Sequence, residues 1–272
     1  MTAPIAPGYC RKNKQYHLYI KSSFSIYIVS TQELHSRIKD FYRFSKHERL
    51  GLFASILLAA FIFSFRDWGE QELDITIGLT NFALILIIAA ISLLFRLTCQ
   101  KIYALSQGYK AEFKVWWPGL TISLLVIFLS KGRLPFILIG TIAATFMVKQ
   151  RLGEFRYGFS YFENGMISFW GLLASLIMSL LFALGLYLFP NTYFFEKGLI
   201  INLIFAAITL IPLPQMEGLA IFFGSRPLYF FGWIIIIVAG ILLLSQTLIG
   251  LIIAITLGLG AAFVYYMTSS TK

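Results

Sequence analysis

The stretch NLIFAAITLIPLPQMEG, residues 202–218, decides the fold of this chain. It lies in strongly apolar surroundings, yet it contains the prolines Pro212 and Pro214 and the acid Glu217. Proline removes a backbone hydrogen-bond donor and breaks a helix. An open helix in lipid is tolerated only where protein or a wet cavity covers the freed backbone groups. The stretch therefore predicts a broken membrane helix, and the ionisable Glu217 marks a candidate functional site.

The composition of the whole chain is that of a membrane protein. Of its 272 residues, 58% are hydrophobic and 12% are charged, far from the values of soluble domains. Apolar runs long enough to span a bilayer recur between residues 50 and 267. They lack the dense alternation of polar and apolar residues that marks a membrane β-barrel. We expect an all-α polytopic membrane protein with six or seven transmembrane helices, a short hydrophobic hairpin and a small β element at the cytoplasmic face.

The net charge of +10 has a membrane explanation rather than a nucleic-acid one. Nine of the 22 Lys and Arg residues precede residue 50, where they orient the chain and favour anionic lipid. The loop at residues 66–74 carries four acids against one Arg. This asymmetry predicts a multi-pass integral protein of the cell membrane with a cytoplasmic N-terminus and no nucleic-acid partner. Because the N-terminus lacks an early apolar run, no cleavable signal peptide is expected.

Hydropathy, periodicity and capping residues predict the remaining elements. Ser30 with Glu33, and Ser45 with Glu48, fit capping boxes at helix starts. In chain order the predicted elements are a short strand at Ser23–Val29, a basic amphipathic surface helix at Thr31–Phe44, membrane helices at Leu50–Phe65 and Ile75–Phe95 (the second continuing to Ser106), a strand at Ala111–Trp117, a shallow hairpin of Pro118–Ser130 and Leu134–Val148, a strand over residues 155–161, a turn at Asn164-Gly165, a helix at Met166–Phe189, and two C-terminal spans turning near residues 245–247.

The broken-helix stretch resembles a motif of the site-2 protease family of intramembrane zinc metalloproteases. That family carries Asn-x-x-Pro-x-Pro-x-Leu-Asp-Gly on a late helix, and its Asp is the third zinc ligand. Here the prolines, the acid and Gly218 keep their places, while Thr209 stands where the family has Asn. Asn202 begins the same stretch and is counted with the broken-helix motif. The resemblance implies a membrane-embedded site built around Glu217.

The zinc helix of the family has no intact counterpart in this chain. The family reads His-Glu-x-x-His, followed by Gly and a strand such as Ala-Glu-Phe-Arg, and residues 108–114 read GYKAEFK. Counting back from that anchor, Arg96 and Gln100 replace the two His ligands and Leu97 replaces the catalytic Glu. His47-Glu48 begins a similar pattern, but Gly51 stands where the second His is needed. The chain's histidines are residues 17, 35 and 47, all before the first predicted span.

A third motif and the domain boundaries follow from the same resemblance. The family's Gly-Pro-x-Ala-Asn corresponds here to Gly171, Leu172, Ala174 and Ser175, a small-residue pattern that also suits close helix packing. We expect four parts: a polar basic segment at residues 1–30, an amphipathic interfacial helix at 31–48, a site-2-protease-like membrane core at 49–224, and a C-terminal transmembrane hairpin at 225–272.

The residues at the predicted site do not suit zinc hydrolysis. Such a site needs three protein ligands, usually including His, and a base that activates the bound water. The membrane core offers Glu217 without a histidine, and Leu97 cannot act as a base. We therefore expect no catalytic residue, no metal and no cofactor. Instead, Arg96 and Gln100 share a helix face, so Arg96 is expected to pair with Glu217, assisted by Gln100. In the alternative, Arg96 snorkels to the interface and Glu217 faces a wet groove.

Three functions remain open from the sequence. The first is a proteolytically silent relative of the family that binds the lipid bilayer and transmembrane or extended segments of client proteins, alone, with an active protease, or within a membrane complex. The second is an active intramembrane metalloendopeptidase with unusual ligands, the only case that requires zinc. The third is a small-solute permease, since broken helices and a midplane acid also mark transporters. Against the third, no inverted repeat relates the two halves.

Overall fold

The computed structural model describes residues 31–68, 74–146, 160–256 and residue 258. Its elements are, in chain order, α1 (Thr31–Phe41), α2 (Lys46–Ser64), α3 (Ile75–Ser106), β1 (Tyr109–Val115), α4 (Trp117–Leu129), β2 (Gly140–Phe146), α5 (Tyr161–Leu188), α6 (Tyr193–Thr209), α7 (Glu217–Gly224) and α8 (Arg226–Leu244). After the turn predicted near residues 245–247, residues 248–256 are again helical. The chain is mostly helical with a small two-stranded sheet, as the sequence predicts.

Four helices of the described chain are long and apolar enough to cross a membrane: α2, α3, α5 and α8. The sequence predicts six or seven spans, and the higher count stays a prediction. The α3 helix runs without a break for 32 residues, which confirms that the second membrane helix continues to Ser106. The protein is therefore a helical membrane protein by the length and composition of these segments.

The start of α2 shows how local sequence sets a helix boundary. Ser45 Oγ accepts the Glu48 backbone N–H at 3.2 Å, and Glu48 Oε2 accepts the Ser45 N–H at 2.7 Å. This reciprocal capping box satisfies two helix-end donors and confirms the predicted cap. It begins the helix at Lys46, four residues before the predicted start at Leu50, because the cap precedes the apolar run.

The predicted break in the late helix is present. The α6 helix ends at Thr209 and α7 begins at Glu217, with Pro212 and Pro214 on the exposed loop between them. The chain then returns so closely on itself that a Cβ on Gly218 would lie 2.4 Å from the Ile211 carbonyl oxygen. Because only glycine leaves that space free, the Gly218 of the motif has a steric role at the restart of the helix.

The small sheet corrects the predicted hydrophobic hairpin. The β1 and β2 strands are antiparallel, with Phe113 opposite Ile142. The strand predicted at Ala111–Trp117 is present as β1, but it ends at Val115 and Trp117 begins α4. The second half of the predicted hairpin, Leu134–Val148, is wrong because it contains β2. Hydropathy cannot distinguish a buried strand from a short membrane segment. Gly140 begins β2 at φ 144°, where a Cβ would meet the Lys114 carbonyl oxygen at 2.2 Å.

The turn predicted at Asn164-Gly165 is also wrong, since both residues lie in the first turns of α5. Asn-Gly favours a turn because of its local conformational preference. Here Gly165 is instead helical and serves the close packing of another helix. A Cβ on Gly165 would lie 3.0 Å from the Ala220 carbonyl oxygen and 3.1 Å from the Gly224 Cα. Gly165 thus allows α7 to pack against α5. The strand predicted at Ser23–Val29, the cap at Ser30 and residues 155–159 of the predicted later strand lie outside the described residues.

The buried core forms where α2, α3, α5 and α6 meet. Phe205 of α6 packs edge-to-face on Phe63 of α2, with ring centroids 5.8 Å apart. On α6, Gly198 lies under the Phe182 ring of α5. The small Gly198 thus brings α5 and α6 together, and α5 packs against both α6 and α7, the two halves of the broken helix.

Candidate functional site

The predicted ion pair between Arg96 and Glu217 is confirmed. Arg96 on α3 donates from Nη2 to Glu217 Oε2 at 2.7 Å. Glu217 is the first residue of α7, directly after the helix break, and only 2% of its surface is exposed, against 8% for Arg96. This burial contradicts the alternative in which Arg96 snorkels and Glu217 faces a wet groove. The pair links the long α3 to the restarted half of the broken helix.

Gln100 lies one turn beyond Arg96 and is fully buried. Neither its Nε2 nor its Oε1 has a hydrogen-bond partner in the described part of the chain. Gln100 therefore does not assist the ion pair through a direct hydrogen bond, and that part of the prediction is wrong. The Gln100 amide nevertheless lies close to the ion pair, because both are packed against Gly171 of α5.

Gly171 of α5 forms the wall behind both side chains. A Cβ at this position would lie 2.2 Å from Gln100 Nε2 and 2.9 Å from Glu217 Oε2. Ala174 and Ser175, on the same buried part of α5, have almost no exposed surface, and Ser175 Oγ donates back to the Gly171 carbonyl oxygen at 3.2 Å. The Gly-x-x-Ala-Ser pattern thus lets α5 approach the ion pair closely.

The Gly171 contact makes a specific prediction. Replacing Gly171 with Ala is expected to destabilise the protein by about 1–3 kcal/mol, the usual cost of forcing an extra methyl group into a packed interior. The measurement is chemical unfolding of the purified protein in micelles. The matched control is Gly240→Ala on α8, where a Cβ would meet nothing within 4 Å. Equal effects at the two glycines would contradict the close approach of α5 to the ion pair.

Among the remaining predicted site residues, Leu97 borders this centre, whereas Thr209 and Asn202 bind the backbone of their own helix. Leu97 lines a cavity of about 20 Å³ together with Arg96 and Glu217. Thr209 Oγ1 donates to the Phe205 carbonyl oxygen at 2.6 Å. Asn202 Nδ2 donates to the Gly198 carbonyl oxygen at 2.8 Å. Both polar side chains are therefore bound to the backbone of α6, and their proposed correspondence to the family motif stays a prediction.

The donor set at this centre does not fit a zinc ion. No group of three His, Cys, Asp or Glu side chains able to hold a metal exists among the described residues. Leu97 has no donor atom, and a guanidinium that remains protonated cannot ligate a cation. The Glu217 carboxylate is already paired with the Arg96 guanidinium. The ion pair neutralises both charges and links the two helices.

A second buried ion pair escaped the sequence analysis. Lys101 Nζ lies 2.7 Å from Glu48 Oε1, and both residues are buried. Glu48 Oε1 also accepts the Phe113 backbone N–H of β1 at 2.7 Å. Lys101 Nζ donates to the Arg43 carbonyl oxygen at 3.1 Å and lies 4.1 Å from the centroid of the Phe44 ring. This centre joins α2, α3 and β1.

The sequence contains only a weak signal for this second centre. Glu48 has a sufficient local explanation in the capping box, and Lys101 lies on the stretch of α3 expected to leave the bilayer. Opposite charges near the same end of adjacent helices were the available hint. Their partnership depends on tertiary packing, because α2 and α3 must lie side by side before these two charges can meet.

One curated protein is similar to the chain over most of that protein's length. A Methanocaldococcus jannaschii protein named "putative zinc metalloprotease" is 25% identical over 181 residues, covering 65% of this chain and 84% of that protein. No protein-family model matches the chain, and no solved structure matches it significantly. The similarity is consistent with the resemblance to the site-2 protease family, and the activity in the printed name is that of the relative.

Proposed function

We propose that the chain is a site-2-protease-like membrane protein that lacks zinc and proteolytic activity and binds membrane segments of other proteins. The observation that carries this proposal is the buried Arg96–Glu217 ion pair. In this pair the Arg96 guanidinium neutralises Glu217, the carboxylate that corresponds to a zinc ligand in the family resemblance. The similarity to a protein named "putative zinc metalloprotease" supports a common ancestor with that family. The side chains at the centre, which offer no set of zinc ligands, support the loss of its zinc chemistry.

The architecture is part of the same proposal. In addition to the four long apolar helices, the broken helix α6–α7 and the helical residues 248–256 would supply the further spans of a six- or seven-helix protein. The N-terminus would be cytoplasmic, with β1 and β2 at the cytoplasmic face. Glu217 and Gly140 of β2 line the same small cavity, which supports a sheet placed beside the degenerate site.

The proposed partners are inferred from the shape of the protein rather than from any catalytic chemistry. A broken helix next to a sheet is suited to holding a transmembrane or extended client segment in the bilayer. Such a protein would present, retain or compete for the clients of an active protease, or act as a subunit of a membrane complex. The second candidate, an active metalloendopeptidase, is favoured by the name of the relative alone.

Zinc content separates these two functions. Full-length protein purified without chelator and incubated with zinc is expected to retain far less than one zinc per chain after desalting, measured by mass spectrometry of metals. Glu217→Ala is expected to give the same low value. Stoichiometric zinc in the native protein that is lost in Glu217→Ala would overturn the proposal and support the metalloprotease.

A further inference from the structure

Three basic side chains lie at the start of α2 on the outside of the protein. Arg43 precedes the helix, Lys46 and Arg49 lie in its first turn, and all three are exposed. None of them forms an ion pair with another described residue. The acid of this turn, Glu48, is buried and already paired with Lys101. The turn therefore presents cations to the outside and uses its carboxylate on the inside.

The same face of α2 continues as an apolar stripe. In order, the exposed face comprises Lys46, Arg49, Leu50, Phe53 and Leu57. Steps of three and four residues connect these positions, so they share one side of the helix. The three apolar side chains, here called the apolar stripe, are 60%, 65% and 45% exposed. Because lipid tails are as apolar as Leu, acyl chains suit such a stripe on a helix long enough to cross a membrane.

Neighbouring residues place Lys46 and Arg49 at the depth of lipid headgroups. A Cβ on Gly51 would meet Val115 Cγ1 at 3.0 Å, so the first turns of α2 lie beside the end of β1. Trp117 follows two residues after Val115, begins the apolar α4 and is 51% exposed. Exposed Trp at such a position is typical of the membrane–water interface. Lys46 precedes Gly51 by five residues, about 7.5 Å further out along the helix axis.

The electrostatics of this turn favour an anion. Free N–H groups and the aligned peptide dipoles make the start of a helix positive, which disfavours Lys and Arg there. Like charges one turn apart on a helix also repel each other. An anionic group between Lys46 and Arg49 relieves both costs, and their long apolar stems allow the charged ends to reach it at the interface. A phosphate joined to acyl chains fits the two charges and the apolar stripe together.

We propose that Lys46 and Arg49 bind the phosphate group of an anionic phospholipid, with Arg43 as a third cation. The acyl chains of this lipid lie along the apolar stripe of α2. The site goes beyond a general attraction of basic residues to anionic membranes, because it places one lipid on one face of one helix. It is separate from the Arg96–Glu217 centre and does not rest on the proposed function.

Photo-crosslinking of the full-length protein in phosphatidylcholine nanodiscs tests the site. The probes are trace phosphatidylglycerol and trace phosphatidylcholine that carry the same diazirine-bearing acyl chain. Two basic side chains at a membrane surface give a preference of about tenfold or more. The anionic probe is therefore expected to label residues 50–57 about tenfold more than the zwitterionic probe, with the exposed Ile177 and Leu181 of α5 as internal reference. Equal labelling by both probes, or labelling by neither, would overturn the proposal.

Three double variants assign the preference to this turn. Lys46→Gln with Arg49→Gln is expected to abolish it, whereas the charge-preserving Lys46→Arg with Arg49→Lys should retain it. The charge-matched control is Lys131→Gln with Arg133→Gln, whose loop packs on Arg66 just beyond the other end of α2. This control should leave the labelling of residues 50–57 unchanged. An equal loss in the control would contradict a site at the start of α2.

Salt and inorganic phosphate identify the ligand as a lipid. At about 1 M salt, exposed charges are screened beyond roughly 3 Å, so the preference should fall several-fold, and a preference unaffected by salt would contradict the site. Millimolar inorganic phosphate should not displace the anionic probe, because phosphate has no acyl chains; displacement would indicate a free-phosphate site and overturn the lipid assignment. These measurements on the native protein decide the matter even if a variant does not fold. Zinc content, measured separately, tests the proposed function.

Discussion

Replacing Glu217 with Leu is expected to lower the free energy of unfolding by about 3–5 kcal/mol, the usual cost of removing one partner of a buried ion pair. The Arg96 guanidinium would remain buried at the junction of α3 and α7 without its carboxylate. Chemical unfolding in micelles measures the loss. An unchanged stability would mean that Glu217 does not hold the two helices together.

Two control variants separate the ion pair from general damage. The double variant Arg96→Leu with Glu217→Leu is expected to recover much of the lost stability, because no charge is left buried without a partner. Glu112→Leu removes an ion pair with the same 2.7 Å separation, Lys110–Glu112, whose side chains are 43% and 40% exposed. Exposed pairs contribute about 0–1 kcal/mol, so this variant should be nearly neutral.

Replacing Glu48 with Leu is expected to destabilise the protein by a similar amount, about 3–5 kcal/mol, and to loosen β1. The variant leaves Lys101 buried without its carboxylate and removes the acceptor of the Phe113 N–H. Hydrogen exchange should therefore show faster exchange at the Phe113 amide, together with the lower free energy of unfolding.

Ser45→Ala is the matched control for this second centre. It removes the side-chain cap of α2 but leaves the Glu48–Lys101 pair in place, and loss of such a cap costs about 0.5–2 kcal/mol. The difference between the two variants therefore measures what Glu48 contributes beyond capping. If Ser45→Ala is as destabilising as Glu48→Leu, the second ion pair does not stabilise the fold.

The features predictable from the sequence were those fixed by strong local or solvent constraints. Pro212 and Pro214 break the late helix in any fold, because proline has no N–H. The Ser45 capping box begins α2 through contacts three residues apart. The Arg96–Glu217 pair followed from the cost of burying single charges, once the resemblance had placed both residues at one centre.

The features that escaped prediction depend on which elements become neighbours. Gly165 is a turn signal by itself and a helix-packing residue only because α7 lies against it. The Leu134–Val148 segment is apolar enough for a membrane hairpin, and its strand character requires β1 as a partner. Glu48 and Lys101 meet because α2 and α3 are adjacent. Local conformational preference does not determine which helices and strands become neighbours, so these contacts could not be predicted from a single sequence.

The length of α3 has a consequence for the membrane around it. Its 32 residues make a rod of about 48 Å, whereas the hydrocarbon layer is about 30 Å thick. The excess is accommodated by tilting or by protrusion into the headgroup layer, at a modest energetic cost per ångström of mismatch. Because Arg96 and Lys101 are both carried on this rod, a thicker or thinner bilayer changes the depth of both charges together. The acyl-chain length of the host lipid is therefore expected to change the membrane depth of the Arg96–Glu217 and Lys101–Glu48 ion pairs.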